Sequence, residues 1–347
     1  MARQVGKSRG LATSKDVAAR AGVSQSTVSY VMSGKRAVSP EVRRRVEKAM
    51  SELDYQPNAG ARALRGARTN VIALVVHLDE DADPSETMPY IDTIVEEARA
   101  RDHEVVLATG DEGAEGLLRL ARRRVADAFV IMDVRTDDAR LETAAGLGRP
   151  VVLFGRPRNA YGLDAVDFDS RRAAEMLVEE LVVSGHRRIL VIGETSEKDA
   201  EELRFISEFH EGAREAARRA EVAFESVHGE RDGWRALEGA VAPVLASGEA
   251  RIGVIARTPR MTEWLVHLAR AHHVRWGEDV SLVSMTTDRN ATRLDPTITN
   301  VSPLPRDLSR LAMRILFERI DGDEGPARLA LVTPRHVRRR ESTAVFD

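Results

Sequence analysis

The chain has 347 residues, no cysteine, 43% hydrophobic residues and a formal charge of −3, from 52 Lys and Arg against 55 Asp and Glu. This length predicts two or three domains, and the lack of cysteine excludes a disulfide scaffold, a thiolate metal site and a thiol nucleophile. The first residues, MARQVGKSRGLATSKD, have no apolar core, and no run of 18 apolar residues occurs. We therefore expect no secretory signal, no membrane partner and a cytoplasmic protein.

The charge is divided unevenly along the chain. Residues 1–70 contain 14 Lys and Arg against five Asp and Glu, a net charge of +9, and the remainder carries −12. A basic segment on an acidic body indicates a polyanion-binding module joined to a second function. The alternative is a solubilising tail. We confine the basic tail to residues 1–11, because apolar residues recur at helical spacing beyond it.

Residues 12–57 predict three short helices. Thr13 is a candidate N-cap, with Asp16 three residues later as in a capping box. Ser24 and Ser39 are the corresponding candidates for the second and third helices, and a glycine follows each of the first two helices. Two short helices joined by a tight glycine turn describe a helix-turn-helix, whose second helix enters the major groove of DNA.

Three motifs follow one another in this region: DVAARAGVSQSTVS, VSPEVRRRV and YQPNAGARALR. Over residues 13–65 the chain resembles, almost position by position, the N-terminal domain of LacI/GalR-family bacterial transcriptional regulators. The resemblance implies a multidomain fold: an all-α helix-turn-helix head, a hinge helix over residues 58–69, and an α/β core of two Rossmann-like lobes of periplasmic-binding-protein type. It also implies a repressor that binds double-stranded, pseudo-palindromic operator DNA as a homodimer under the control of a small-molecule effector.

The resemblance assigns DNA contacts to the head. Gln25, Ser26 and Tyr30 match positions that face base edges, where glutamine suits adenine and serine can pair with several bases. Tyr30 departs from the arginine common in the family, which puts a guanine contact in doubt and favours ring contact with a thymine methyl group. Hydroxyl groups that would bond either phosphates or their own helix ends belong to Thr13, Ser24, Thr27 and Ser29.

The segment PNAGARALRG resembles the family's hinge helix, which folds when two subunits meet on an operator. Leu64 matches the leucine that wedges into a base step of the minor groove, and Ala61 matches the face on which the two helices pair. Arg62 and Arg65 would supply charge to phosphates or to the groove edge, and Asn58 is a further candidate DNA-binding residue of this segment. The alternative interpretation of Leu64 is an ordinary linker residue.

After Asn70, apolar runs of strand length alternate with helical stretches. The runs are VIALVV, EVVLAT, AFVIMDV, PVVLFGR, RILVIG, RIGVIA and VSLVSM. The helical stretches cover residues 88–101, 113–124, 170–184, 203–220, 234–247 and 260–273. This alternation predicts doubly wound parallel sheets, and a pause near residues 160–170 predicts two lobes. With the family's three crossings, the expected lobes are 70–166 with 299–327 and 167–298 with 328–347.

Ligands of parallel sheets bind beyond the carboxyl ends of the strands, which places the effector site in the cleft between the lobes. The sequence departs from the family there. Phe209 stands where relatives carry a clamping arginine, Thr286 ends a tripeptide that replaces Gly-Phe-Asp, and Arg257 begins a segment that replaces Asn-Asp. The candidate effector-binding residues are Tyr90, Asp133, Arg156, Asp169, Phe209, Trp234, Arg257 and Thr286.

Two hypotheses about the effector remain open. Arginine residues in the cleft suit an anionic or phosphorylated metabolite better than a simple sugar. Alternatively, the pocket no longer senses a small molecule. The acidic run that includes Asp79 and Asp83 lacks the residue order of a calcium loop, and the nucleotide, metalloprotease and hydrolase motifs are missing. We therefore expect no catalysis, cofactor or metal.

Two rival classes are an enzyme of Rossmann-like fold that carries a DNA-binding head and a constitutive architectural DNA-binding protein. The expected dimer contact is the helix over 88–101, which has an apolar stripe of Ile91, Ile94, Val95 and Ala98. The alternative role of that stripe is packing on the sheet.

Overall fold

The computed structural model describes residues 12–33, 36–55, 68–78, 84–193, 202–228, 233–247, 249 and 251–346. The chain divides into two compact units, Met1–Asn70 and Val71–Asp347. The basic tail over 1–11 lies outside the described residues, as does the acidic run over 79–83. Each unit is built around its own apolar core.

The first unit contains three helices, α1 (Ser14–Ala21), α2 (Gln25–Ser33) and α3 (Pro40–Glu52). Each begins where a side chain replaces the hydrogen bonds that the first turn lacks: the Thr13 side chain accepts from the Asp16 amide, and Ser39 accepts from the Val42 amide. The core side chains are Val17, Ala18, Ala21, Val28, Val31, Val46 and Ala49. The three predicted helices are therefore confirmed.

The first lobe of the second unit is a six-stranded parallel sheet of order β11-β5-β4-β3-β1-β2. Its strands are β1 (Val71–Val76), β2 (Glu104–Thr109), β3 (Ala128–Ile131), β4 (Val151–Phe154), β5 (Asp164–Phe168) and β11 (Leu329–Val332). Helices α4 (Pro84–Arg99) and α12 (Pro305–Ile320) cover one face. Helices α5 (Gly113–Arg122) and α6 (Arg140–Ala145) cover the other.

The second lobe is a five-stranded parallel sheet of order β10-β9-β8-β6-β7. Its strands are β6 (Arg188–Gly193), β7 (Ala223–His228), β8 (Ile252–Ala256), β9 (Ser281–Met285) and β10 (Thr299–Val301). Its helices are α7 (Ser170–Val183), α8 (Arg204–Arg219), α9 (Gly233–Leu245), α10 (Pro259–Ala271) and α11 (Asp288–Ala291). The doubly wound α/β architecture expected from the alternating pattern is confirmed in both lobes.

Strand pairing corrects two lobe boundaries. Residues 299–301 were expected in the first lobe, but β10 pairs with β9 in the second. Residues 328–347 were expected in the second lobe, but β11 pairs with β5 in the first. Both strands have four residues or fewer and lie at sheet edges, so neither carries the long apolar run that marks a central strand. The chain therefore crosses back a few residues later than expected in each case.

The apolar stripe on α4 packs mainly on the sheet. Ile94 is fully buried and Ile91 nearly so, and both belong to the core that contains β1 and β3. Val95, by contrast, is only partly buried. It lines a groove of about 620 Å³ together with Asp92, Glu96, Arg99, Ala100 and Arg306. The dimer contact at this helix stays a prediction.

Candidate DNA-binding face and effector cleft

One face of α2 carries the residues expected to contact bases. Gln25, Ser26 and Tyr30 are exposed, whereas Val28 and Val31 are buried in the core of the head. Ser26 and Tyr30 are four positions apart and share one side of the helix, and Gln25 lies beside them in the first turn, so the three exposed side chains are on the side away from the core. An α-helix presented in this way fits the major groove.

Hydrogen bonds hold this face in place. The Gln25 side-chain amide donates to Ser14 Oγ at 2.8 Å, which ties the start of α2 to α1. Ser24 Oγ accepts from the Thr27 amide at 3.1 Å and lies 2.8 Å from the hydroxyl groups of both Ser26 and Thr27. Ser24 thus caps α2, and its hydroxyl group also faces solvent at the helix end.

Thr13 forms a capping box with Asp16. Its hydroxyl group donates to the Asp16 carboxylate at 2.6 Å, and its backbone amide donates to the same carboxylate at 2.8 Å. The hydroxyl bond, and to a smaller extent the amide bond, hold the pKa of Asp16 below its usual value. The Tyr30 ring lies under the Arg36 guanidinium, 5.7 Å from its centroid. A positive charge therefore lies beside Tyr30, the aromatic residue on the exposed face of α2.

Arg45 is a positioning residue that sequence reasoning missed. Its guanidinium donates to the carbonyl groups of Ala21 and Gly22, the second at 3.1 Å. Gly22 has a left-handed conformation, with φ of 64°, at the turn between α1 and α2. Arg45 on α3 therefore fixes the turn on which the angle between the two helices depends. The cluster of arginines in the sequence gave no sign that one of them points inward.

The five hinge residues proposed to contact DNA lie outside the described residues, and their assignment stays a prediction. They are Asn58, Ala61, Arg62, Leu64 and Arg65.

In the second unit, five of the candidate effector residues follow the carboxyl ends of strands, where a ligand of a parallel sheet is expected. They are Asp133 after β3, Arg156 after β4, Asp169 after β5, Arg257 after β8 and Thr286 after β9. The first two belong to the first lobe and the last two to the second. The structure therefore brings residues from both lobes to one cleft.

Charged side chains join the two lobes across this cleft. The Arg156 guanidinium donates to the Glu208 carboxylate on α8 at 2.5 Å. Arg204 Nε donates to the same carboxylate at 2.9 Å. A second link joins Arg135 to Glu202 at 3.2 Å. Arg156 is therefore a cleft residue, as expected, but its partner is a carboxylate of the protein itself.

Asp167 on β5 lies behind this pair. Its Oδ2 is 3.6 Å from Arg156 Nε, and the residue is only 5% exposed. Burial raises the pKa of Asp167 to about 6, and the opposing effects of the Phe168 amide and Arg156 do not cancel it. The cleft thus holds a carboxyl group that titrates near neutral pH. The sequence analysis did not select Asp167, because it falls within the strand.

Arg257 and Tyr90 form a second polar group in the cleft. Arg257 is 4% exposed, and its guanidinium lies 5.3 Å from the centroid of the Phe205 ring. Burial lowers the pKa of Arg257, and the negative charge of Glu86 opposes this shift. Burial likewise raises the pKa of Tyr90, whose ring packs edge-on against Phe154. A buried guanidinium on an aromatic ring is suited to holding an anion in a fixed place.

The remaining candidates differ in how they are placed. Thr286 is 1% exposed, and within the described part of the chain its Oγ1 has no hydrogen-bond partner. Asp133 Oδ2 accepts from the His77 amide at 3.1 Å. Asp169 caps α7, because its carboxylate accepts from the Arg172 amide at 3.0 Å. Asp133 and Asp169 are therefore held in place by hydrogen bonds within the protein.

Two aromatic candidates pack within the protein. Phe209 is fully buried in the core formed with α7, and it presents no surface to the cleft. Glu208, one position earlier on α8, is the residue that reaches Arg156. Trp234 at the start of α9 packs edge-on against Trp264, with ring centroids 6.2 Å apart. These contacts give both aromatic residues a packing role, which for Trp234 was one of the interpretations open from the sequence.

The residues that the structure describes contain neither a candidate metal cluster nor a candidate membrane-spanning helix. No group of three or more His, Asp or Glu side chains there could hold a metal ion. None of the helices described is both long and apolar enough to cross a bilayer.

The two units match known families. Residues 13–58 match bacterial regulatory proteins of the lacI family, and residues 69–245 match the periplasmic binding proteins and sugar-binding domain of the LacI family. Residues 178–343 match a periplasmic binding protein-like domain. The HTH-type transcriptional regulator CelR of Thermobifida fusca is 31% identical over 338 residues, which cover 94% of this chain and 96% of CelR. The chain belongs to the LacI family. It is a DNA-binding transcriptional regulator, as the motifs of the head predicted.

Other known proteins are similar to most of this chain. Catabolite control protein A of Priestia megaterium is 24% identical over 94% of this chain and 98% of its own. The structure of a CelR–cellobiose complex has a TM-score of 0.67 and 27% identity, and covers 95% of this chain and 99% of that one. The lac repressor dimer bound to operator and an anti-inducer has a TM-score of 0.76 at 19% identity, with coverage of 96% and 100%, and this likeness confirms the fold.

Proposed function

We propose that this LacI-family regulator recognises a pseudo-palindromic operator as a homodimer, with one α2 helix in each of two major-groove half-sites. The observation that carries the proposal is the exposed face of Gln25, Ser26 and Tyr30, held by the Ser14 and Ser24 hydrogen bonds. A single helix-turn-helix buries too little surface for high specificity, so two are required. The dimeric, operator-bound state of the lac repressor, a protein of the same fold, supports this arrangement.

The operator is found by selecting sequences from a random DNA pool with the full-length protein. The proposal predicts an enriched motif of two inverted half-sites whose centres are separated by about one helical turn of DNA or a multiple of it. Sequences without a shared motif would identify an architectural DNA-binding protein instead. Selection should be made at ~150 mM salt, because sequence-independent phosphate binding dominates at lower ionic strength.

We further propose that a small anionic effector binds in the cleft between the lobes and changes operator affinity. Arg156, Arg204 and Arg257 supply the positive charge, and the two lobes approach each other through the Arg156–Glu208 and Arg135–Glu202 pairs. An anion that binds Arg156 competes with Glu208, so it alters the contact between the lobes. Binding can then shift a two-state equilibrium if the ligand favours one arrangement of the lobes.

Calorimetric titration with phosphorylated sugars, organic acids and neutral sugars tests the effector class. The proposal predicts binding of an anion at micromolar Kd and release or strengthening of operator binding by the same compound. CelR is a relative whose structure holds cellobiose, so neutral disaccharides belong in the panel. Micromolar binding of an unmodified sugar would contradict the anionic effector, and no binding by any class would favour a pocket that has lost its ligand.

A further inference from the structure

An exposed arginine cluster stands out on the otherwise acidic second unit. Arg122 ends α5, and Arg123 and Arg124 follow it, all three exposed. Within the part of the chain that the structure describes, no carboxylate pairs with these three side chains. Arg119, one turn earlier on the same helix, shows the contrast, because it is held by Glu112 with hydrogen bonds of 2.6–2.9 Å.

The backbone at Arg124 is suited to glycine. Its φ is 51°, and its amide donates to the Ala121 carbonyl while the Val125 amide donates to the Leu120 carbonyl, both at 3.0 Å. Arg124 thus follows the C-cap of α5 in the left-handed conformation. Glycine is preferred at this position because a side chain strains the backbone there. An arginine therefore occupies a position at which the fold alone would favour glycine.

The cluster lies beside the point where the chain enters the second unit. The turn that contains Arg124 leads into β3, which pairs with β1 from Ile72 and Ala128 onward. The Asp127 amide donates to the Val71 carbonyl at 2.8 Å. Val71 is the first residue of the second unit, directly after the unit that contains the helix-turn-helix. The turn that carries the arginines therefore lies next to the first strand of the second unit, at the end where that strand begins.

We propose that Arg122, Arg123 and Arg124 bind phosphates of the DNA that flanks the operator. Three neighbouring guanidinium groups match the closely spaced charges of a duplex backbone, and they carry no information about base sequence. Because the head already holds the DNA, the cluster meets the flanking duplex at a high effective concentration. This proposal rests on operator binding by the head, and it adds a sequence-independent contact made by the core.

The test compares two triple variants of the full-length protein with equal loss of charge. The first is Arg122→Gln/Arg123→Gln/Arg124→Gln. The matched control is Arg214→Gln/Arg218→Gln/Arg219→Gln, which removes three exposed arginines from α8 in the second lobe. Affinity is measured against salt on a duplex of about 60 bp and on one of about 20 bp with the same selected centre, since each phosphate contact adds about 0.9 to the slope of log affinity against log salt.

On the longer duplex, the first variant is expected to lower the slope by about 2–3 per bound subunit and to weaken binding at least tenfold at ~150 mM salt. On the shorter duplex it should bind like the unmodified protein, and the control should do so on both. Equal slopes for all three proteins on the longer duplex would overturn the proposal. If none of the three proteins binds either duplex, the result would instead contradict the operator-binding function of the head.

A single substitution separates this role from a structural one. Arg124→Gly relieves the strained backbone, so we expect a melting temperature raised by a few degrees together with weaker, less salt-sensitive binding to the longer duplex. Increased stability with unchanged binding to the longer duplex would show that Arg124 does not contact DNA. Decreased stability would show that its side chain has a structural role, and this too would contradict the proposal.

Discussion

Replacing Asp167 with asparagine should stabilise the protein at alkaline pH. The Asp167 carboxylate is buried behind the pair that joins the lobes, and burial raises its pKa from 3.8 to about 6. A raised carboxyl pKa means that the folded state binds the proton more tightly than the unfolded state does. The charged form is therefore destabilising above pH 6, and this cost is lost as the pH falls through 6 and the folded protein takes up the proton.

The size of the effect follows from the shift. One pKa unit corresponds to about 1.4 kcal/mol, so the rise from 3.8 to about 6 corresponds to about 3 kcal/mol at pH 8. Asparagine keeps an oxygen that can accept from the Phe168 amide, now bonded at 2.9 Å, and it has no charge to desolvate. The advantage of Asp167→Asn should shrink to about 1 kcal/mol at pH 4.5, where the native carboxyl group is protonated.

The assay is urea unfolding of both proteins at pH values from 8 to 4.5. Asp164→Asn is the matched control on the same strand: burial alone would raise the pKa of Asp164, but hydrogen bonds from Arg319 and the Arg328 amide lower it overall. The charged Asp164 carboxylate stabilises the folded protein above pH 3.8, and this stabilisation is lost only as the pH falls through the lower pKa of the folded state. Asp164→Asn should therefore lower the free energy of unfolding by roughly 3 kcal/mol throughout the assay range. The reasoning is refuted if Asp167→Asn is less stable than the unmodified protein at pH 8.

Other predictions concern DNA and effector binding. Leu64→Ala should reduce DNA bending, measured by fluorescence transfer across the operator, and leave effector affinity intact, since a wedge acts only on DNA; unchanged bending would remove the wedge assignment. Substituting Gln25 or Tyr30 should alter base preference at symmetric positions of both half-sites by about 1–3 kcal/mol, seen in a repeated selection, whereas equal loss on all sequences would indicate phosphate contacts. Glu208→Gln leaves Arg156 without its competing carboxylate. Calorimetry should therefore show about tenfold tighter binding of an anionic ligand and no gain for a neutral sugar. Weaker binding of the anion by this variant would contradict the assignment.

The parts of the fold that depend on neighbouring residues were predictable from the sequence. The caps at Thr13 and Ser24 are hydrogen bonds between residues three positions apart, and both form. The expected runs 71–76, 104–109 and 188–193 are strands with those bounds. The runs 71–76 and 188–193 are continuously apolar because central parallel strands are buried on both faces, whereas 104–109 is a partly exposed edge strand. Local chemistry is thus sufficient for the three helices of the head and for the central strands.

The parts that depend on distant contacts were not predictable. Edge strands β10 and β11 each belong to the lobe opposite to the one expected, because no local sequence pattern specifies which sheet a short strand joins. On α8, Phe209 was expected at the cleft, but Glu208 contacts Arg156. One position along a helix rotates the side chain by about 100°, so an error of a single residue in register exchanges a buried face for a functional one. The hydrogen bonds from Arg45 to the turn between α1 and α2 likewise join residues that are distant in sequence.

The central claim is that a ligand in the cleft controls DNA binding by the head. The most direct measurement is the operator affinity of the full-length protein, by fluorescence anisotropy on its selected operator, with and without a saturating ligand identified by calorimetry. We predict a change of about 5–150-fold, the range of common allosteric coupling, and an equal reciprocal effect of the operator on ligand affinity. An operator affinity that stays the same when the cleft is saturated would contradict the account.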